Sequence, residues 1–111
     1  SCSNDENSPS EIRIRLSNIS QFDFRNIVVN TSTRNVNFEN INIGEKSEYK
    51  TFQIAYRYAF IEMEIGGKIY TLHPIDYFGE TPLKNGNYTY QIDANNSQNQ
   101  YSKLILTLID E

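Results

Sequence analysis

From Glu11 onward the chain alternates with a period of two. Ile12, Ile14 and Leu16 fall on one side of an extended segment, and Arg13, Arg15 and Ser17 on the other. That is the pattern of a strand with one buried face. Phe22 and Phe24 keep the even phase, after which the apolar set moves to Ile27 and Val29. A change from even to odd positions requires one extra residue, so a bulge is predicted near Arg25-Asn26. Val36 and Phe38, then Ile41 and Ile43, predict a third strand with a similar slip, followed by a turn at Gly44-Glu45-Lys46-Ser47.

Between Tyr49 and Ile65 the chain carries its densest aromatic material. Phe52, Ile54, Tyr56, Tyr58 and Phe60 share one phase, and Ile61, Met63 and Ile65 the other. A continuous strand with a phase break at Phe60-Ile61 is predicted, bending or passing between two packed sheets. Gly66-Gly67 joins two alternating segments by two residues, a strong hairpin signal. In that register Met63 faces Tyr70, Ile61 faces Leu72, and Glu62 faces Thr71 on the opposite side. Residues 74–86 form a longer connection. Tyr88, Tyr90 and Ile92 alternate in one strand, and Leu104, Leu106 and Leu108 in the last. Ile105 and Ile109 make that last strand apolar on both faces, so it is expected to be covered or centrally paired.

Roughly seven or eight short strands without a helical segment predict an all-β, antiparallel β-sandwich over residues 11–111. Ile14, Phe24, Phe38, Phe60, Met63, Tyr88, Leu104 and Leu106 are its expected core. Leu83-x-x-Gly86-x-Tyr88-x-Tyr90 resembles the tyrosine corner of immunoglobulin-like domains and equally the Leu-x-x-Gly-x-Tyr segment of transthyretin-like domains. Lys84 stands where immunoglobulin domains carry an acid, and Tyr90 where they carry cysteine. The resemblance implies that Leu83, Gly86 and Tyr88 are architectural, with the Tyr88 hydroxyl bonded to a backbone group between Pro82 and Asn85.

Composition narrows the function. The net charge is −4 with a pI near 5.0, and the 10 Lys and Arg residues are scattered. A nucleic-acid binder needs clustered cations to displace counterions from phosphate, so that class is set aside. Abundant asparagine and isoleucine with little alanine reads as codon bias.

Residues 1–10 are polar, contain Pro9, and read as a tether whose nine residues from Cys2 span about 17 Å as a flexible coil. Cys2 is the single cysteine, so no internal disulfide forms. Ser1-Cys2 followed by Ser3-Asn4-Asp5-Glu6 resembles the processed region of bacterial lipoproteins, with the acidic run similar to a Bacteroidetes surface-export signal; Asn4 departs from its strictly acidic form. The order Ser47-Glu48-Tyr49, Gly66-Gly67 and the corner also resembles small uncharacterised Bacteroidetes lipoproteins. That resemblance implies a diacylglyceryl thioether on Cys2, anchorage to the bacterial outer membrane by lipid, and no particular activity.

No catalytic set assembles from the remaining residues. His73 is the single histidine, with no second histidine for a metal and no cysteine nucleophile to activate. Glu62 and Glu64 lie about 7 Å apart on one strand face, a spacing that suits a two-carboxylate hydrolase. Yet they occupy the solvent phase of a hairpin, where charges keep an antiparallel face wet. Asp76, Glu80 and Asp93 do not match a calcium loop. No cofactor is implied.

Of the eight tyrosines, Tyr56, Tyr58, Tyr70, Tyr88 and Tyr90 fall on core phases and are expected to pack. Tyr77 and Phe78 are adjacent loop aromatics that cannot both point into a sheet core. They either plug one end of the sandwich or present a ring to a partner, and they are the candidate partner-binding residues. The function expected is a non-enzymatic, membrane-tethered envelope lipoprotein binding a protein or glycan. A purely structural accessory module of a surface complex comes second, and a small hydrolase a distant third.

Overall fold

The computed structural model describes residues 11–31, 35–73 and 81–111. Cys2, Tyr77 and Phe78 lie outside these residues, as do Asp76 and Glu80. Among the described residues there is no helix, and eight strands form two four-stranded sheets. The first sheet comprises β4 (Lys50–Phe52), β1 (Ile12–Asn18), β7 (Gly86–Ala94) and β8 (Leu104–Asp110), in that order. The second comprises β3 (Asn35–Phe38), β2 (Arg25–Asn30), β5 (Phe60–Ile65) and β6 (Lys68–Leu72).

Both sheets are amphipathic, and burying one face of each against the other is what holds the fold. Ile12, Ile14 and Leu16 of β1 are at most 1% exposed, and Ile61 and Met63 of β5 not at all. Phe24, Ile27, Val29, Tyr90 and Ile92 complete the centre of this core. Each such aliphatic side chain contributes about 1.5–3 kcal/mol on removal from water. The expected core residues Ile14, Phe24, Phe38, Met63, Tyr88, Leu104 and Leu106 are all buried.

The β5–β6 hairpin has the predicted register, with Met63 opposite Tyr70, Ile61 opposite Leu72 and Glu62 opposite Thr71. Gly66 and Gly67 take φ of 59° and 84°, the left-handed values that a two-residue primed turn demands. The predicted bulge is in place as well: the β2–β5 register shifts between Arg25 and Val28, and Asn26 sits at φ 51°. Asparagine tolerates that conformation better than most side chains.

Five expectations need correction. Phe60 is half-buried and lies outside the core. It begins β5 in register with Glu62 and Glu64 on the outward phase, because Ile61, Met63 and Ile65 take the inward one. Residues 49–65 do pass from one sheet to the other, but not by a bend at Phe60-Ile61. The crossing is made by the irregular residues 53–59, where Ala55 and Ala59 are wholly buried and small enough to let the backbone sink into the sandwich. Consequently Tyr58 is 52% exposed instead of packed, and Tyr56 is half-buried. The third strand stops at Phe38; Ile41 makes a single bridge to Phe24, and Ile43 is exposed in the turn. The last strand is neither central nor covered on both faces. β8 is an edge strand, with Ile105 48% and Ile109 37% exposed.

The pairing is also not wholly antiparallel, since β1 and β7 run parallel over seven residue pairs. In immunoglobulin constant domains the penultimate strand lies between strand C and the last strand in a three-stranded sheet. Here it lies between the first strand and the last, in a sheet of four.

Candidate functional site

The direction of β1 defines two ends of the sandwich. At one end Ile12 pairs with Phe52 and Gly86, and the chain leaves toward residue 10. Six residues later, roughly 20 Å away at strand rise, Asn18 reaches the other end. There its backbone N–H donates to the Glu45 carbonyl and its own carbonyl accepts from Gly44 N–H. Its fully buried side-chain amide donates to the carbonyls of Phe22 and Ile41, at 2.7 and 3.1 Å, while its Oδ1 accepts from Ser20. One side chain thus ties the β1–β2 and β3–β4 connections together.

An open cleft of about 650 Å³ lies across these connections and the Gly66-Gly67 turn. Its polar lining is set by the bulge. With Asn26 in the left-handed region, its side-chain amide donates to Glu64 Oε1 at 2.8 Å and its backbone N–H to Asn40 Oδ1 at 3.0 Å. Arg25 donates to Asn42 Oδ1 at 3.1 Å and lies 3.7 Å from Asp23, whose other oxygen accepts from Ile43 N–H. A second compartment of about 420 Å³ over β2 and β3 shares Asn26 and Asn40 with the first. The two adjoin as one groove, in which amides and carboxylates stand beside apolar contacts from Phe22, Ile27, Val28, Phe38, Ile43 and Ile65.

The Phe22 ring is held by a buried cation. Lys103 is only 4% exposed; its ammonium stands 4.4 Å from the Phe22 ring centre and 5.0 Å from that of Tyr70. It donates to the carbonyls of Asn95 and Ser97. Two carbonyls and two ring faces replace the water it has lost. The loop it secures runs along β6, where Thr71 N–H donates to the Gln100 carbonyl and covers that sheet edge. Thr71 is buried for this reason, although it faces outward beside Glu62.

The residues singled out from sequence are distributed otherwise. The Tyr88 hydroxyl donates to the Lys84 carbonyl at 2.7 Å, at the end of the sandwich remote from the cleft. Gly86, at φ 151°, holds a backbone conformation that side chains rarely adopt, and Leu83 is half-buried against the core. His73 is exposed and packs edge-on against Phe60 and beside Tyr101. Glu64 lines the cleft and Glu62 does not, so the structure does not join them as a pair around one site. Among the described residues no group of three or more His, Cys, Asp or Glu side chains is placed to hold a metal ion.

A further polar cluster lies on the outer face of the first sheet. Arg15 donates to Thr89 Oγ1 and to Glu111 at 3.0 Å, stands 4.8 Å from the Tyr49 ring centre, and Tyr49 donates to Glu111. The Thr89 hydroxyl also donates to Glu111. That hydrogen bond is the main reason the Glu111 carboxyl is held below its ordinary value. Partial desolvation opposes it, while Tyr49 and Arg15 act in the same direction as Thr89. Both carboxylate oxygens are engaged, so this cluster staples strands together.

Sequence reasoning missed the groove and the Lys103 cradle. Asn18, Asn26 and Asn40 were hidden in an asparagine-rich background, and the adjacent phase shift was the one usable signal.

No family model matches the chain, and no curated protein matches it. Among solved structures, an NMR structure of a protein from Eubacterium rectale is similar, with a TM-score of 0.57 over 87% of this chain and 88% of that one. At 14% identity the likeness shows the fold, an eight-stranded β-sandwich, and nothing finer.

Proposed function

We propose that this protein is a non-enzymatic, lipid-anchored lipoprotein of the bacterial outer membrane. In this reading it binds a protein or glycan through the groove at the loop end of its sandwich. The observation that carries the reading is the polarity of the domain. The groove lies at the end of β1 opposite Glu11, so a domain tethered through residues 1–10 turns its groove away from the membrane. No helix among the described residues is long and apolar enough to cross a membrane, and the anchor in this proposal is the lipid on Cys2. Two acyl chains, at about 0.8 kcal/mol per buried methylene, hold such a domain durably.

A second reading, a structural module of a larger surface complex, is favoured by Ile105 and Ile109, exposed on the outer face of an edge strand. Both readings share the anchor. Cys2→Ala should move the protein from the membrane to the soluble fraction, and intact mass of the native protein should show the diacylglyceryl adduct. An unmodified thiol on membrane-derived protein would sink the anchor. Envelope pull-downs and glycan arrays with groove variants and with Ile105→Asp then separate the two readings. Loss of a partner in the first set alone identifies the groove as the site.

A further inference from the structure

We infer that the groove takes a neutral saccharide chain, which deepens the binding reading above and rests on it. Its lining carries unused hydrogen-bonding valences. Glu64 accepts from Asn26 through Oε1, and among the described residues Oε2 takes no hydrogen bond. Asn40, which lines both compartments, spends Oδ1 on the Asn26 backbone, and among the described residues its amide N–H groups take no acceptor. A carboxylate oxygen that accepts beside an amide that donates is the pair a sugar hydroxyl needs, because a hydroxyl does both at once.

The charge balance selects among saccharides. Three carboxylates, Asp23, Glu39 and Glu64, stand against the Arg25 guanidinium and the Lys50 ammonium over Phe38 beside Glu39, so the balance is negative and uronic, sialylated or phosphorylated chains meet like charge. The shape selects for a chain, because two compartments of about 650 and 420 Å³ meet at Asn26 and Asn40 and both are open. A peptide is less well served. Among the strands, the larger compartment touches only β2 and β5, which are interior, and the smaller one reaches the edge strand β3 through Asn37 and Phe38 alone. The lining also lacks the enclosed apolar pocket that anchors a peptide side chain. Among the apolar lining residues, Phe22 and the exposed Ile43 suit the C–H faces of sugar rings.

The bulge makes the arrangement specific. Asn26 holds a left-handed conformation and uses it to place both Glu64 and Asn40. Such an outlier is the kind of local strain that binding sites retain.

The full chain should be screened on an array of short neutral oligosaccharides (gluco-, manno-, galacto- and xylo-series). Oligogalacturonates, sialylated glycans and a lysine-rich peptide serve as charged probes. Neutral binders are then titrated against Glu64→Gln, Asn40→Ala and Asn26→Gly, with Tyr58→Ala as a remote control. Asn26→Gly keeps the backbone conformation and removes only the amide. At least one neutral series should bind, and the groove variants should weaken it about tenfold or more. Their melting should stay close to wild type, and Tyr58→Ala should bind normally. Preference for an anionic or cationic probe, neutral binding that survives all three variants, or no saccharide binding overturns the inference. An envelope protein captured by wild type and lost in the same variants would leave the binding-module reading standing while removing the sugar. Capture indifferent to them would remove both.

Discussion

Tyr88 and Glu111 show how single side chains set the stability of the sheet they share. The Tyr88 ring is buried and its hydroxyl closes onto the Lys84 carbonyl four residues back. Removing that hydroxyl leaves a backbone acceptor short of its partner, and Tyr88→Phe should cost about 1 kcal/mol or somewhat more. For a domain of this size that is a fall in Tm of roughly 4–8 °C per kcal/mol, read by thermal melting. Binding by the folded variant should be unchanged, because the corner and the groove lie at opposite ends. Glu111 makes a prediction about pH. Its carboxyl, and that of Glu39, lie below the ordinary value of 4.5 in the folded chain. For Glu39, burial pushes upward but is outweighed by backbone N–H groups, including that of Glu48, and by Lys50. The unfolded chain therefore binds protons first as the solution is acidified. The stability from these groups is complete above their unfolded values and is lost as the pH falls through the folded ones. Urea unfolding from roughly pH 6 down to pH 3 should show that decline, and Glu111→Gln should make it shallower. At this scale the tyrosine corner was legible because its spacing is local. Lys103 and Asn18 were not, since their partners come from connections that only the fold brings together.

β8 is the element where pattern and structure disagree most usefully. Leu104 and Leu106 point into the core at 5% and 7% exposure, and Ile105 and Ile109 point out. Leu106→Ala should cost about 2–5 kcal/mol, the penalty for a buried leucine and the cavity it leaves. Ile105→Thr keeps a β-branched side chain on the wet face and should change stability by no more than about 0.5 kcal/mol. Equal effects from both, measured by chemical denaturation, would show that the outward face of β8 is covered. Two apolar faces predict a covered strand only on average, and among the described strands β8 pairs with β7 alone, at the edge of its sheet. The bulge in β2 was the opposite case. A phase shift in one strand must be absorbed within that strand, so Arg25-Asn26 was marked out without knowledge of its neighbours.

Across the whole molecule, one core is shared by both sheets, and neither sheet has a second hydrophobic face on which to fold alone. Unfolding should therefore be a single transition. Far-UV and near-UV circular dichroism should superimpose, and a core truncation in either sheet, Met63→Ala or Leu106→Ala, should shift the same curve. Separate transitions would mean that the sheets are independent units. The β1–β7 pairing joins the start of the domain to its end, so folding must close a long loop before that pair contributes, and it should proceed in milliseconds to seconds.

The amino-acid sequence alone determined what depends on neighbours within a few residues. Period-two alternation specified strands and their inward faces, Gly66-Gly67 the hairpin and its register, and Gly86 with Tyr88 the corner. Each follows from local sterics and from the twofold repeat of extended backbone. Tertiary structure decided what depends on distant partners. It made β1 and β7 parallel, carried residues 53–59 between the sheets on two buried alanines, and left Phe60 and Tyr58 outside the core. It also gathered Asp23, Asn26, Asn40 and Glu64 into one groove. These outcomes turn on which strand lies beside which, a long-range choice made by burying two faces together. No alternation within a single strand carries that information.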